Sequence, residues 1–406
     1  MSTHSEQMHA PEGMARCPIM PTYGPPPVMF VRGEGSWLFD PDGKKYLDFL
    51  SGLAVTSLGH AHPTVALAIA EQARTLLHVS NLYGTEHQAG VARTIDTLIA
   101  GEAAPRGQVF FANSGAEANE CAIKLARKWG GRGKHVVVSA WRSFHGRTLA
   151  TLHATGQPEK HEAFQPLPEG FRHASWNDLD DFARALDESV AALLLEPVQG
   201  EGGVNPGDPA FFQGLRELCD ERGILLMVDE VQTGFGRTGK WFGFQHMGIE
   251  PDVVTMAKAL GNGMPIGACW AKAEVAAAFQ PGDHATTYGG QPLSTAAARA
   301  VLQVMQSIDA PALATQRGSS LTKKLEALPG VIGVRGLGLL LGVELDAEVL
   351  GGRLARDVAA QCLDAGLVLN GITNTALRLA PALTVSEDEI DVAVGLLAAV
   401  LSGGTS

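Results

Sequence analysis

Three places in this 406-residue chain put a reactive side chain, or a run of free backbone donors, where chemistry could use it. After the apolar run Val109 to Ala112 comes Asn113-Ser114-Gly115-Ala116, which opens at once into a helical pattern. A strand that feeds a helix start in this way points unpaired N–H groups and the positive end of the helix dipole at a bound anion, most naturally a phosphate. The same turn also fits a plain N-cap by Ser114. After ILLMV come Asp229 and Glu230, carboxylates at the rim of an apolar layer; an Asp there can also be a cap or a solvated end. After DVVTM comes Lys258, flanked by Ala257, Ala259, Leu260 and Gly261, with no other charge between Asp252 and Lys272. A lysine kept among apolar neighbours loses its proton more readily and can act as a Schiff-base nucleophile.

The elements that must hold these groups follow from hydrophobic periodicity. From about Val65 to Met305, apolar runs of strand length alternate with amphipathic runs of helix length, as in a mainly parallel sheet covered by helices. The strand candidates are Val109 to Ala112, His135 to Ser139, Ala191 to Leu195, Ile224 to Val228 and Asp252 to Met256. Between the first two, Ala118, Cys121, Ala122, Leu125 and Trp129 fall on one helical face. All three chemical positions then sit just beyond strand carboxyl ends, where open α/β sheets bind ligands.

The two ends of the chain read differently. Residues 25–50 hold two apolar segments around a Pro-Asp-Gly turn, a small antiparallel sheet. Beyond residue 306 come a helix, the strand pair GVIGVRG and GLLLGVEL, and a last helix that begins at a Ser386/Glu389 capping box. The expected organisation is α/β: a large domain over 65–305, and a smaller α+β domain built from 21–64 and 306–406. The first 20 residues are expected to be a flexible tail.

Composition excludes several classes. Hydrophobic residues make up 45% and charged residues 18%, with no low-complexity tract, which argues against disorder. A formal charge of −12 without a Lys/Arg block leaves no track for a nucleic-acid backbone. No apolar run has membrane-spanning length and the N-terminus has no basic and apolar export pattern, so no membrane is expected. The cysteines Cys17, Cys121, Cys219, Cys269 and Cys362 are widely spaced, as expected of reduced thiols in a cytoplasm. His60 and His62 lack a Cys or acidic cluster at metal-ligand spacing; they read as solvated or loop histidines, and no metal is expected.

Gly234-Phe235-Gly236-Arg237-Thr238-Gly239 spells the dinucleotide fingerprint, but Lys240-Trp241-Phe242-Gly243 cannot continue as the helix that motif needs. A nicotinamide site thereby loses its support. A phosphate site, a strand-end carboxylate and a strand-end lysine are instead the three anchors of pyridoxal 5'-phosphate, which takes an anion site for its phosphate, an acid for its ring nitrogen and an amine for its aldehyde.

The segments NSGAEANECAIKLARK, SFHGRTLATLHATGQ, LLLEPVQGEGGV, LLMVDEVQTGFGRTGKWFGFQ, PDVVTMAKALGNGMPIGA and TTYGGQPLS together resemble the class III, or ω-amino acid, aminotransferases. Within that group, VRGEGSWLFDPDGKKYLDFLSGLAVTSLGHAHP and LRLAPALTV are most similar to the acetylornithine branch, although Ala382 stands where relatives often carry a second Pro. The resemblance implies fold type I, a cytoplasmic homodimer with shared active sites, and transfer of the terminal amino group of N-acetylornithine to 2-oxoglutarate in arginine biosynthesis. Ornithine, succinylornithine or 4-aminobutyrate as donor, and an intramolecular aminomutase, are the alternatives.

It also implies roles. Lys258 is the Schiff-base lysine and then the acid and base of the 1,3-proton shift, and Asp229 partners the ring nitrogen. Ser114, Gly115 and Ala116 take the phosphate, with Thr287 reaching it from the neighbouring subunit. Phe144 stacks on the ring, and Glu230, Val231 and Gln232 complete the cofactor surround. Arg147 is the candidate for the distal carboxylate, Arg378 for the glutamate α-carboxylate, Glu201 for the group that neutralises Arg378, and Thr286 for a further substrate contact. A guanidinium suits such a role because its fork makes two hydrogen bonds to one carboxylate. Glu196 reads as structural or as a supporting carboxylate, and Tyr23 lies where relatives place a substrate-facing tyrosine.

Overall fold

The computed structural model describes residues 19–403. Most of the expected N-terminal tail, including Cys17, lies outside them. A seven-stranded sheet runs in the order Gly107–Ala112, Gly267–Lys272, Val253–Met256, Leu225–Asp229, Val190–Leu195, Val136–Ala140, Phe171–Ala174. All pairings are parallel except those of Gly267–Lys272, which runs antiparallel to both its neighbours. Val190–Leu195 and Leu225–Asp229 are buried along their whole length, so they read as continuous apolar runs. All five expected strands are present within a residue or two; Gly267–Lys272 and Phe171–Ala174 are additional.

Helix Gly115–Gly130 packs on this sheet through Ala118, Asn119, Cys121, Ala122, Ile123, Leu125 and Ala126. Trp129, expected on that face, is exposed. In the last turn Gly130 takes the inward place: a Cβ there would stand 3.3 Å from the Cβ of Ala191.

The chain ends meet. Trp37–Phe39 and Lys45–Asp48 pair antiparallel around the Pro-Asp-Gly turn, and Leu367–Val368 adds to Lys45–Asp48 in parallel. Val331–Leu337, Leu340–Leu345, Ala376–Leu379 and Asn370–Gly371 form a second four-stranded antiparallel sheet. The last helix, Glu387–Leu401, starts at the Ser386/Glu389 capping box, and Glu389 also accepts from Trp37 Nε1 at 3.0 Å, tying this helix start to the N-terminal strands.

His60 is not a solvated loop residue. Its Nε2 lies 2.8 Å from Asp48 Oδ2, and it bridges to Gly35. Asp48 also accepts the N–H groups of Leu50 and Ser51, so one buried carboxylate closes the turn after Lys45–Asp48. No described helix is long and apolar enough to cross a membrane.

Candidate active site

Five strand ends deliver side chains to one cavity of about 390 Å³. Gly107–Ala112 leads to Ser114, Gly115 and Ala116, and Val136–Ala140 to Phe144 and Arg147. Val190–Leu195 leads to Glu196 and Glu201, Leu225–Asp229 ends on Asp229 ahead of Val231 and Gln232, and Val253–Met256 leads to Lys258. Parallel strands make this convergence possible because all their carboxyl ends lie on one edge.

At one end the helix Gly115–Gly130 opens toward the cavity. Ser114 is its N-cap and accepts from Glu117 N at 3.2 Å, so the cap reading of this hydroxyl is realised while Gly115 and Ala116 remain on the cavity wall. Gly115 has to be glycine: a Cβ would meet Val231 Cγ1 at 2.8 Å. At the other end, Asp229 is buried and accepts three hydrogen bonds. Asn119 Nδ2 reaches Oδ2 at 2.7 Å, His145 Nδ1 reaches the same oxygen at 2.8 Å, and Val231 N reaches Oδ1 at 3.0 Å.

Lys258 stands between them in a tight turn with φ of +37°, a conformation rarely taken by a residue with a side chain. Burial lowers its amine to about 8; Glu201 pulls it back up and Arg378 pushes it further down. No described carboxylate lies within ion-pair distance of it, so its charge is not locked by a partner.

Two arginines stand at this cavity in different ways, Arg147 on its wall and Arg378 behind the wall residues Glu201 and Gln232. Arg147 is exposed on the wall, its Cζ 5.5 Å from the Phe144 ring centroid. Arg378 is buried; Nη1 donates to Glu201 Oε1 at 2.6 Å and lies 3.4 Å from Gln232 Oε1, Nε donates to Asn370 at 3.2 Å, and Nη2 has no partner. Burial pushes the Glu201 carboxyl up, but Arg378 overcomes this and holds it below the ordinary value.

Glu196, whose role the sequence left open, bridges two loops. Its oxygens accept from Phe144 N at 3.0 Å and from Gly200 N at 3.2 Å, and burial raises it to about 7. Glu230 does not belong to the cavity. Its side chain accepts from Thr233 Oγ1 at 2.5 Å, Gly243 N at 2.9 Å and Phe244 N at 2.7 Å. Successive strand residues point to opposite faces, so a strand that aims Asp229 inward turns Glu230 away. Tyr23 is 90% exposed and away from the cavity wall. Thr286 lines a second cavity with Ser80, Asn81 and His284, and Thr287 is exposed.

Sequence reading passed over Asn119 and His145. An amide on the buried face of a helix, one turn after a phosphate-type turn, was the available signal for Asn119. The dinucleotide look-alike forms turns with positive φ at Gly236 and Gly239 and runs into no helix until Phe244. The cavity thus offers an anion seat, a fixed carboxylate opposite it, and an amine of lowered basicity between. That set suits a small phosphorylated molecule with a basic ring nitrogen and a carbonyl group.

The model of the family described as "Aminotransferase class-III" matches residues 19–401. The acetylornithine aminotransferase of Gloeobacter violaceus is 50% identical over 393 residues, spanning 95% of this chain and 96% of that protein. The succinylornithine transaminase of Salmonella paratyphi A is 46% identical over 380 residues, 92% of this chain and 91% of that protein. Among solved structures, the ornithine aminotransferase of Toxoplasma gondii, with partial occupancy of PLP at its active site, superposes with a TM-score of 0.89 at 30% identity over 96% of this chain and 93% of that one. With a family match that spans nearly all the described residues and a site whose parts arrive from five strand ends, the chain belongs to the class-III aminotransferases.

Proposed function

We propose that this enzyme uses pyridoxal 5'-phosphate to move the terminal amino group of N-acetylornithine to 2-oxoglutarate, giving N-acetylglutamate 5-semialdehyde and glutamate. The observation that carries the reading is the buried Arg378 beside Lys258, held by a Glu201 whose side chain is still 33% exposed. An arginine needed for only one of two substrates must be neutralised when the other is bound, because an unpaired buried cation costs several kcal/mol. A partly exposed carboxylate can do this and still be displaced.

When bound, pyridoxal phosphate supplies an aldehyde that takes the amine and a ring that withdraws electrons from the carbon bearing it. Gly115 and Ala116 would offer backbone N–H groups to the phosphate, with Ser114 beside them. Asp229, acceptor-only on all sides, would keep the ring nitrogen protonated. Phe144 and Val231 would hold the ring faces, and Gln232 its edge. Lys258 would bind the aldehyde, then take and return the proton at the amine-bearing carbon through Nζ. Arg147 would grip the distal carboxylate of either substrate and Arg378 the α-carboxylate of glutamate, with Thr286 as a further contact at the interface.

Several relatives that share 43 to 50% of this sequence over most of their length bear the acetylornithine name, which supports that donor. The succinylornithine relative favours a second reading with a longer, carboxylate-bearing acyl group. A donor panel with 2-oxoglutarate as acceptor tests both. Preference for N-acetylornithine over succinylornithine, ornithine and 4-aminobutyrate is expected, and preference for any of these others replaces the assignment.

The same reading includes a homodimer. Leu82 and Tyr288, at 84% and 67% exposure near the second cavity, support it, and the exposed Thr287 would reach a neighbouring subunit's phosphate. It includes a smaller domain of 21–64 and 306–406 against a larger one of 65–305, supported by the pairing of Leu367–Val368 with Lys45–Asp48. A cytoplasmic setting is supported by four free, buried cysteines.

A further inference from the structure

We infer that Thr255 and Asn119 form a positioning relay that aims the amide hydrogens of Asn119 at Asp229 and so keeps this carboxylate an acceptor toward the cavity. The inference rests on the cofactor reading above, in which Asp229 faces the ring nitrogen. Asn119 borders the cavity and Thr255 lies behind it; the relay acts by orientation.

The two ends of an amide have nearly the same shape, and their surroundings decide which is which. One end of Asn119 lies 2.7 Å from Asp229 Oδ2 and 2.8 Å from the carbonyl oxygen of His145. An ionised carboxylate and a carbonyl only accept, so this end must be the NH₂ group. The other end, Oδ1, then accepts, and the group facing it is the Thr255 hydroxyl at 2.7 Å. Thr255 and Asn119 are both buried, so water cannot replace either partner.

The strand register explains why Thr255 is in reach. It pairs directly with Asp229 across the parallel ladder and precedes Lys258 by three residues, so the strand that delivers the lysine also orients the amide. With Asn119, His145 and Val231 all donating, three of the roughly four acceptor sites of the carboxylate are filled. Without the hydroxyl, Asn119 Oδ1 is a buried acceptor with no donor, and turning the amide over would set its oxygen against Asp229. That turn favours a protonated Asp229, which could no longer hold a proton on a ring nitrogen.

Thr255→Val preserves shape and removes the hydroxyl; Thr255→Ser preserves the hydroxyl and removes the methyl. The measurements are the dissociation constant of pyridoxal phosphate titrated into the apo protein, the pH midpoint of its visible absorbance once bound, and kcat. Losing the Thr255 hydroxyl bond, and with it the fixed aim of the Asn119 amide at Asp229, should raise the dissociation constant about tenfold and lower kcat about tenfold in Thr255→Val, with a displaced midpoint, while Thr255→Ser stays within about twofold of wild type on each. A Val variant that behaves as wild type, or a Ser variant as impaired as Val, overturns the relay, the second because the methyl and not the hydroxyl would then matter. Wild-type protein that takes up no pyridoxal phosphate would overturn the cofactor reading and the relay with it.

Discussion

Arg237 and Arg378 are both fully buried, and each joins the middle of the chain to its ends, yet they are held in opposite ways. Arg237, in the dinucleotide look-alike, donates to the carbonyls of Leu339 at 3.0 Å and Pro381 at 2.5 Å and to Ser57 Oγ at 3.0 Å. No described carboxylate is within ion-pair distance, and burial pushes its guanidinium down to about 9. Arg378 reaches the other way, from the C-terminal sheet to Glu201 and Gln232 at the cavity. The first cation is fixed by neutral backbone that cannot leave. The second is fixed by a charged side chain that can. A buried arginine whose partners are immovable carbonyls is structural; one whose partner is a partly exposed carboxylate keeps a grip that a substrate can take over.

Exchanging the two fates is the strongest way to break this comparison. Arg237→Ala should lower stability by about 3–5 kcal/mol, since it opens a cavity and leaves two buried carbonyl acceptors unmet. Denaturant unfolding reads this directly, and any loss of turnover should track the unfolded fraction. A variant that folds as wild type but loses activity would make Arg237 a site residue. Arg378→Ala should lose activity beyond any loss of folded protein. Truncating this buried side chain also lowers stability, but under conditions where the variant is folded its kcat/KM for glutamate should still fall about 100-fold, the loss of a charge-assisted grip worth about 3 kcal/mol. Steady-state kinetics set beside a melting curve separates the two.

A smaller effect sharpens the role of the movable partner. Glu201→Gln keeps a hydrogen bond to Arg378 but removes the neutralising charge. The N-acetylornithine half-reaction should weaken about tenfold, while the glutamate half-reaction, in which Arg378 is engaged by substrate, should change less than about threefold. Single-turnover measurements with each donor check this. Equal losses in both would mean that Glu201 shapes the pocket and does not act as a counter-charge.

The difference between the arginines also bears on what could be read from the sequence. Lys258 and Asp229 were legible because each lies at the end of an apolar strand, where a charge has few other reasons to be, whereas Arg147, Arg378 and Glu201 entered only through the resemblance of their segments to a family. Arg237 was not legible, because its partners Ser57, Leu339 and Pro381 are 102 to 180 residues away, two of them contributing only a carbonyl and the third only a small hydroxyl. Main-chain acceptors leave no mark on side-chain pattern. The antiparallel course of Gly267–Lys272 was hidden for a related reason: a strand buried on both faces is apolar in either direction, so periodicity carries no sense of polarity. Glu230 was placed in the site by its adjacency to Asp229, which strand alternation reverses.

The least effect, and the one that isolates charge from packing, is on the acid limb of stability. Glu201 is held below its ordinary carboxyl value in the folded protein, chiefly by Arg378 against the opposing push of burial. Between the folded and unfolded values the unfolded chain binds more protons, so this contribution to stability is complete above the unfolded value and is lost as pH falls through the folded one. Because the Glu201 side chain is 33% exposed, solvent screening limits the contribution to about 1 kcal/mol or less. Arg378→Ala should therefore flatten the fall in stability below about pH 5, the ordinary carboxyl range, whereas a conservative Arg237→Lys variant, which has no carboxylate to titrate against, should lower the whole profile and leave its slope unchanged. Urea unfolding from pH 3 to pH 7 distinguishes these outcomes. An unchanged acid limb in Arg378→Ala would mean that the pair is held by packing and not by its charges, and the contrast between the two arginines would then lie only in which of them a substrate can reach.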